Sequence, residues 1–210
     1  MQSATPRSRE LKSTSLPRLG EAGLSHDRSL FLTRRIIHCC SLIPAYRNAV
    51  VDSLNELADE LATHYPAIPG FDVVLLDEPE ETIVRHLEQS MPSMRFGPSL
   101  DDSDLAQKRV FVLCDFAHPF IDNARSENPR AHWGIAVPMR FAVAWVNNPF
   151  LWWHEALHLF NAKDCYNKFG INKCRNSRCV MQASPTRFTC GDRLHLCSKN
   201  QRRLGQDPIL

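Results

Sequence analysis

The residues with the clearest chemical potential are His154, Glu155 and His158, which form the pattern HExxH. Successive residues of an α-helix are about 100° apart, so positions i and i+4 lie on nearly the same face. The two histidines would therefore point the same way, one turn apart, with the Glu155 carboxylate a quarter-turn round. Two imidazoles beside a carboxylate can hold a zinc ion and use its bound water as a nucleophile. The pattern thus predicts a metal-dependent hydrolase site.

A third ligand is available in Asp164, which follows the second histidine by six residues. Between them lies Asn161, and Asn is second to Gly as the residue that ends a helix in left-handed conformation. A sharp turn at Asn161 would bring Asp164 back toward the ion. Two His and one carboxylate leave the fourth position of zinc to water, which is an open catalytic set. The alternative is that Asp164 lies in a polar surface loop beside Lys163.

The helix that carries this pattern has a clear start. Asn148 is a suitable N-cap and Pro149 suits the first helical position, so we predict a helix from Pro149 to about Phe160. Apart from the three functional residues it is apolar nearly all round, which predicts that it is buried. Buried imidazoles and a buried carboxylate need partners, and a metal ion provides them.

Apolar periodicity predicts the other elements. Proline at position 138 removes a ladder donor, so the strand that it ends belongs at a sheet edge. The chain after the helix is irregular. The order predicts an α/β (α+β) fold with one mixed sheet, an active-site helix and a Cys-rich irregular C-terminal part. The predicted helices cover 44–65 and 80–89, the strands 71–76, 109–116, 133–138 and 140–146, and the loops 92–104 and 121–132.

The 210 residues suffice for one domain. Residues 1–28 are polar and without apolar periodicity, which predicts a disordered tail. Residues 29–210 are expected to form a single domain, with an upper subdomain to about 162 and a Cys-rich lower subdomain over 163–200.

The bulk composition excludes several classes of partner. The hydrophobic fraction is 43%, the charged fraction 23% and the net charge +2, so charge gives no reason to expect a nucleic acid. No apolar run approaches the roughly 18 residues that span a bilayer, and no secretory signal is evident. We therefore expect a cytoplasmic protein without a membrane partner. Nothing indicates its oligomeric state.

Eight cysteines are present, and five of them crowd the last fifth of the chain. In a protein without a signal peptide, such a cluster indicates a metal site first and disulfides second. Two disulfides plus one free thiol remain the alternative. The clustered residues are Cys165, Cys174, Cys179, Cys190 and Cys197.

The extended pattern resembles that of the metzincin metallopeptidases, HExxHxxGxxH followed by a Met-turn. Asn161 stands at the Gly position, Asp164 at the third His, as in the snapalysin-like branch, and Met181 is the Met-turn candidate. The tail is most similar to that of archaemetzincins, because a Cys follows the third ligand and Cys-x4-Cys-x-Met and a distal Cys pair come after it. The resemblance covers Trp153 to Cys197. One family Cys corresponds to both Cys165 and Cys174 here, and the distal pair is more widely spaced.

The resemblance implies a zinc metallopeptidase, either an endopeptidase or an aminopeptidase, that acts on peptides or proteins. Glu155 would be the general base and Met181 an apolar floor under the catalytic zinc. A second, structural zinc is implied on four cysteines of the tail, with Cys165 as a substitute for Cys174. These four are Cys174, Cys179, Cys190 and Cys197.

The predicted edge strand Trp133–Val137 offers a place where an extended peptide could pair by strand addition. Two other functions remain open. The chain could be a degenerate protease that keeps zinc without efficient catalysis, because it departs from the family at the Gly and at the third His. It could also be a Cys-rich interaction module in which HExxH is incidental.

Overall fold

A computed structural model describes residues 35–90, 108–127, 133–167, 170–171, 173–174 and 177–206 of the chain. All of them fall within one compact unit, Thr33–Leu210. The predicted tail 1–28 and the predicted loop 92–104 lie outside the described residues.

Five strands form one mixed sheet in the order β2-β1-β3-β5-β4. The first three neighbouring pairs are parallel, and β4 runs antiparallel to β5. β3 and β5 are buried along their whole length, as expected of inner strands that are covered on both faces. The strands are β1 (Arg35–Ser41), β2 (Phe71–Leu75), β3 (Arg109–Leu113), β4 (Gly134–Val137) and β5 (Phe141–Ala144).

Among the residues that the structure describes, six α-helices accompany the sheet, and one 3-10 turn, Pro44–Tyr46, leads into the first. Within the described ranges, none of them has both the length and the apolar character needed to cross a bilayer. The helices are α1 (Arg47–His64), α2 (Glu80–Ser90), α3 (Pro119–Glu127), α4 (Pro149–His158), α5 (Arg187–Cys190) and α6 (Ser198–Gly205).

Each face of the sheet has its own core. Side chains of α2 and α3 pack on one face, and those of α1 and α4 pack on the other. Alternate residues of β3 serve the two cores: Val110 and Val112 face α2 and α3, whereas Phe111 and Leu113 face α1 and α4. Buried residues of the Cys-rich tail join the α1 and α4 core. The buried residues of the tail therefore share one core with α1 and α4.

The mixed α/β fold class is confirmed by this sheet and its helices. The prediction that the strand before Pro138 lies at an edge is also confirmed, since β4 is the last strand of the sheet. The chain turns back to β5 through Met139, which has a left-handed φ of 62°. The backbone N–H of Arg140 donates to the carbonyl of Val137 at 3.1 Å and closes this turn.

Four elements depart from the predicted order. β1 was not predicted because its sequence, RIIHCCS, is neither alternating nor continuously apolar, yet it lies between β2 and β3. α3 replaces the start of the predicted loop 121–132: Phe120, Ile121 and Ala124 are buried, and only this narrow stripe is apolar. α5 and α6 occupy the tail predicted as irregular: α5 follows a capping box of Thr186 and Thr189, and α6 has a mostly polar sequence without apolar periodicity.

Candidate metal centres

α4 begins as predicted. The Asn148 side chain accepts a hydrogen bond from the Phe150 N–H at 3.0 Å, and proline occupies the first turn. The indole N–H of Trp153 donates to the Ser53 carbonyl at 2.8 Å, which ties α4 to α1. The indole N–H of Trp152 donates to the Val146 carbonyl at 2.9 Å. The helix is thereby fixed at its start and along its flank, which restricts where His154 and His158 can point.

Backbone carbonyls orient both imidazoles. His154 Nδ1 lies 3.0 Å from Val180 O, and His158 Nδ1 lies 2.8 Å from Ala162 O. Since a carbonyl oxygen only accepts, each Nδ1 must carry the hydrogen. In the neutral imidazole, each Nε2 then presents its lone pair on the opposite side of the ring. Both lone pairs are thus held in place for a shared electrophile, in the way that outer carbonyls orient metal-binding histidines.

Three electron-donor atoms meet at this point. The two Nε2 atoms are 3.3 Å apart, and Asp164 Oδ1 lies 3.2 Å from Nε2 of His154 and 3.3 Å from that of His158. The triangle is nearly equilateral. A tetrahedral zinc with bonds of about 2.0–2.1 Å separates its ligand atoms by about 3.3–3.4 Å. The side chains present therefore fit a zinc ion in size and in chemistry.

A proton alone would satisfy this cluster poorly. A hydrogen on one Nε2 atom can form a hydrogen bond along only one of the three short contacts in this triangle. The lone pairs at another contact would still face each other. His154 is 3% exposed and its surroundings offer little water to compensate. A cation bound by all three atoms would resolve the conflict. His154, His158 and Asp164 therefore form a first candidate metal centre.

The charges in the centre shift its pKa values in opposite directions. Burial disfavours the charged form of His158, but the hydrogen bond and charge of Asp164, together with the charge of Glu155, outweigh it and raise the pKa of His158. Burial alone would raise the pKa of Asp164, but hydrogen bonds and charges from the two imidazoles hold it below its usual range. Asp164 is therefore ionised at neutral pH and available as a ligand.

The Glu155 carboxyl group is buried beside the two histidines, with 5% of the residue exposed. Burial raises its pKa, and so does the charge of Asp164, although the histidines oppose the shift. The carboxyl group lies against Gly134 at the start of the edge strand β4. A Cβ at position 134 would lie 2.3 Å from Glu155 Oε1. Only glycine leaves room for the carboxylate here.

The turn after α4 has the conformation predicted from the sequence. Asn161 has a left-handed φ of 67°, which confirms the expectation that this residue ends the helix. The chain then returns so that Asp164 reaches both imidazoles. The expected relation between the turn and the carboxylate is thus present in the structure.

Two residues near the centre were not anticipated. The Tyr166 ring stacks on the His154 ring, with centroids 6.3 Å apart and planes at 25°. Its hydroxyl hydrogen-bonds to Asp164, and burial and that carboxylate raise the pKa of the phenol. Asn200 of α6 is 1% exposed and bonds both backbone groups of Lys163, next to Asp164. The polar sequence of α6, SKNQRRLG, held no signal for that contact.

Met181 belongs to a buried turn below the helix. It is 0% exposed and packs in the core that contains α1 and α4. Its carbonyl accepts a hydrogen bond from the Cys165 N–H at 2.7 Å. The preceding carbonyl, that of Val180, is the one that orients His154. The turn thus supports the first centre through its backbone.

Four cysteines form a second group. The Sγ atom of Cys165 lies 3.7 Å from that of Cys179 and 3.6 Å from that of Cys197. Together with Cys174, their sulfur atoms all lie within 4.8 Å of one another. All eight cysteines of the chain lie among the described residues, and none forms a disulfide. Zinc–sulfur bonds of about 2.3 Å would separate tetrahedral thiolates by about 3.8 Å, so these sulfurs fit a zinc ion as well.

This group differs by one residue from the set that the resemblance implied. Cys190 lies outside it: its sulfur instead accepts a hydrogen bond from the Gln182 side chain at 3.4 Å, at a fully buried position. Cys165 takes part beside Cys174 rather than in its place. The reason is local, since Cys190 ends the capped turn α5 and is held there by the Cys190 N–H to Thr186 O bond of 2.7 Å.

Burial and hydrogen bonds act in opposite directions on the thiols of this group. The Cys197 N–H donates to Cys179 Sγ at 3.4 Å, and the Asn200 side chain donates to Cys165 Sγ at 3.5 Å. Burial raises the pKa of Cys165, and it raises that of Cys179 to about 11. For Cys197, burial is outweighed by hydrogen bonds from Asn200 and the other thiols, so its pKa is lowered. Four thiolates this close would require a cation.

Comparisons with known proteins establish no family for this chain. No protein-family model matches it, and no curated protein matches it. A solved structure, an archaemetzincin from Methanopyrus kandleri, is similar over 83% of this chain and 95% of its own, with 16% sequence identity and a TM-score of 0.40. A likeness at this level supports neither a family nor an activity.

Proposed function

We propose that this chain is a zinc-dependent metallopeptidase. The observation that supports the proposal most directly is the near-equilateral triangle of Nε2, Nε2 and Oδ1 atoms beside a buried carboxylate. His154, His158 and Asp164 would hold the catalytic zinc. Bound there, zinc supplies Lewis acidity, which lowers the pKa of a water ligand to about 7 and polarises a carbonyl.

Glu155 has the position that a general base needs. It follows His154 directly and is buried, and burial raises its pKa. A carboxylate placed in this way can take a proton from the attacking water and return it to the leaving amine. Gly134 leaves room for this carboxylate, because a larger residue would occupy the same space.

The substrate would be an extended peptide lying along β4. This strand is at the edge of the sheet, antiparallel to β5, and begins at Gly134, which abuts Glu155. A peptide paired with the outer side of β4 would gain main-chain hydrogen bonds and pass beside the general base.

The second group would hold a structural zinc on Cys165, Cys174, Cys179 and Cys197. Such an ion would stabilise a segment with few regular elements. It would also fix Cys165, which directly follows the proposed ligand Asp164. We therefore expect two zinc ions per chain.

The test combines metal analysis with peptide cleavage. Wild-type protein is expected to contain two zinc ions, and both His158→Ala and Cys179→Ser are expected to contain one. Wild type should cleave a peptide library, and Glu155→Gln should keep both ions and cleave nothing. Cleavage by zinc-replete Glu155→Gln would refute the mechanism. A protein that holds both ions but cleaves no peptide would be a zinc-binding protein of the same fold.

A further inference from the structure

A pocket of about 340 Å³ opens beside Asp164 and is lined by four cationic side chains, Lys163, Lys173, Lys199 and Arg203. This size is at the small end of the range for ligand sites, about 300–1,000 Å³, and suits one or two side chains of a peptide. The pocket also touches the second metal centre through Cys165, Cys174 and Cys197.

Arg203 is the member of the pocket whose side chain best matches a carboxylate, because a planar guanidinium fork can donate two parallel hydrogen bonds to it. The residue is half-buried, and its Nη1 atom is shielded from solvent and has no hydrogen-bond partner in the part of the chain that the structure describes. Since a ligand cannot touch a fully shielded atom, Nη1 would meet a carboxylate only after the side chain turns into the pocket, and that bond would then relieve the cost of an unpaired buried N–H. The three lysines are exposed and form no ion pair among the described residues, so their charges remain available.

An alternative is that the four cationic side chains only balance the negative charge of the four cysteines. A count of the charges argues against this alternative. A divalent ion on four thiolates has a net charge of about −2. The four cationic side chains have a formal charge of +4. The pocket then keeps an excess of about +2, and Asp164 does not reduce it because its charge is offset within the first centre.

From this geometry we propose that the pocket is a subsite for a carboxylate of the peptide substrate, with Arg203 as its principal contact. The inference rests on the proposed function, since Asp164 belongs both to the pocket wall and to the first metal centre. A group held in the pocket therefore lies next to the site of cleavage. The carboxylate is either that of an acidic side chain or that of the peptide C-terminus.

The experiment measures binding by calorimetry to zinc-loaded Glu155→Gln, which cannot consume its ligand. The probes are blocked Ala-Ala-Glu-Ala-Ala, blocked Ala-Ala-Gln-Ala-Ala, and the Gln peptide with a free C-terminal carboxylate. We expect at least one carboxylate peptide to bind about ten- to a hundredfold more tightly than the blocked Gln peptide, as for a charge-assisted hydrogen bond. The two carboxylate peptides distinguish a side-chain ligand from a terminal one.

Arg203→Gln, placed in the same background, should remove this preference. The matched control is Arg202→Gln, because Arg202 is exposed on the same helix and does not line the pocket. Should Arg203→Gln fail to fold, Lys199→Gln changes an exposed residue and should reduce the preference about two- to fivefold. Equal binding of all three peptides, no binding up to ~5 mM, or a preference that survives Arg203→Gln would overturn the subsite.

Two further measurements separate the alternatives. If Arg203→Gln leaves peptide preference intact but weakens cobalt binding at the cysteine group, followed by thiolate-to-cobalt absorption, the cations serve only as counter-charges. Cleavage by wild type is measured independently. A protein that favours the carboxylate peptide yet cleaves nothing would refute the proposed function but not the subsite, and an active enzyme without the preference would refute only the subsite.

Discussion

Replacing Gly134 by Ala tests whether the edge strand positions the Glu155 carboxylate. A Cβ at this position would lie 2.3 Å from Oε1, 2.4 Å from Cδ and 2.6 Å from Cγ of Glu155. Ordinary contacts between heavy atoms are about 3.5–4.0 Å, so three atoms of one side chain overlap by about 1 Å or more. Either the carboxylate moves by about that distance or β4 moves away from α4.

The two responses have different magnitudes. Overpacking of this kind costs about 1–3 kcal/mol, which for a chain of this size lowers Tm by roughly 2–12 °C. A displacement of about 1 Å at a catalytic group lowers kcat by about a hundredfold. Zinc content should stay at the wild-type value, because Glu155 is not one of the three proposed ligands.

The assay measures zinc content, Tm and the rate of peptide cleavage for Gly134→Ala. The matched control is Gly70→Ala, since an added Cβ at Gly70 meets nothing within 4 Å. That substitution should leave cleavage unchanged and should not lower Tm, because alanine restricts the unfolded chain. Wild-type cleavage and Tm in Gly134→Ala would refute the positioning role. Loss of zinc together with activity would show that Gly134 supports the fold rather than the base.

Three more perturbations test other parts of the site. Tyr166→Phe keeps the ring on His154 but removes the hydroxyl that bonds to Asp164, and should weaken zinc binding by about 10- to 100-fold in a competition titration with a chelator. Cys165→Ser should lose one zinc ion per chain, whereas Cys190→Ser should lose none; the opposite result would restore Cys190 as a ligand. In metal-free protein the raised pKa values of His158 and Glu155 mean that the folded state binds more protons than the unfolded chain, so Tm should fall as pH rises through neutrality. In zinc-loaded protein Tm should instead rise from about pH 5 to pH 7, because protons compete with zinc for the imidazoles, and equal slopes in both forms would contradict zinc binding there.

The sequence predicted those parts of the fold whose signals are local. The Asn148 cap, the left-handed Asn161 and the edge position of the strand before Pro138 all follow from the chemistry of single residues. β1 could not be recognised, because it is stabilised by strands on both sides rather than by a pattern of its own.

The same distinction applies to the site. His154 and His158 are brought together by helix periodicity, and the described structure places Asp164 beside them. Gly134 abuts Glu155, and Asn200 bonds to Lys163, so these contacts join segments that are far apart in sequence. The stacking of Tyr166 on His154 depends on the direction of the side chains. The exclusion of Cys190 from the sulfur group also depends on packing, since Cys spacing alone allows either set.

Asp164 and Cys165 are consecutive residues, but Asp164 belongs to the group with His154 and His158, and Cys165 belongs to the group of four cysteines. Metal binding at one group can therefore affect metal binding at the other. One peptide unit, anchored by the Cys165 N–H to Met181 O bond, links the two groups, and Asn200 holds both backbone groups of Lys163 just before it. Occupation of the sulfur group would order this unit and so prepare the carboxylate. Any such coupling is reciprocal, so each ion would strengthen the retention of the other. As the concentration of free zinc falls, the fraction of chains that hold both ions would then decrease more steeply than it would for two independent sites.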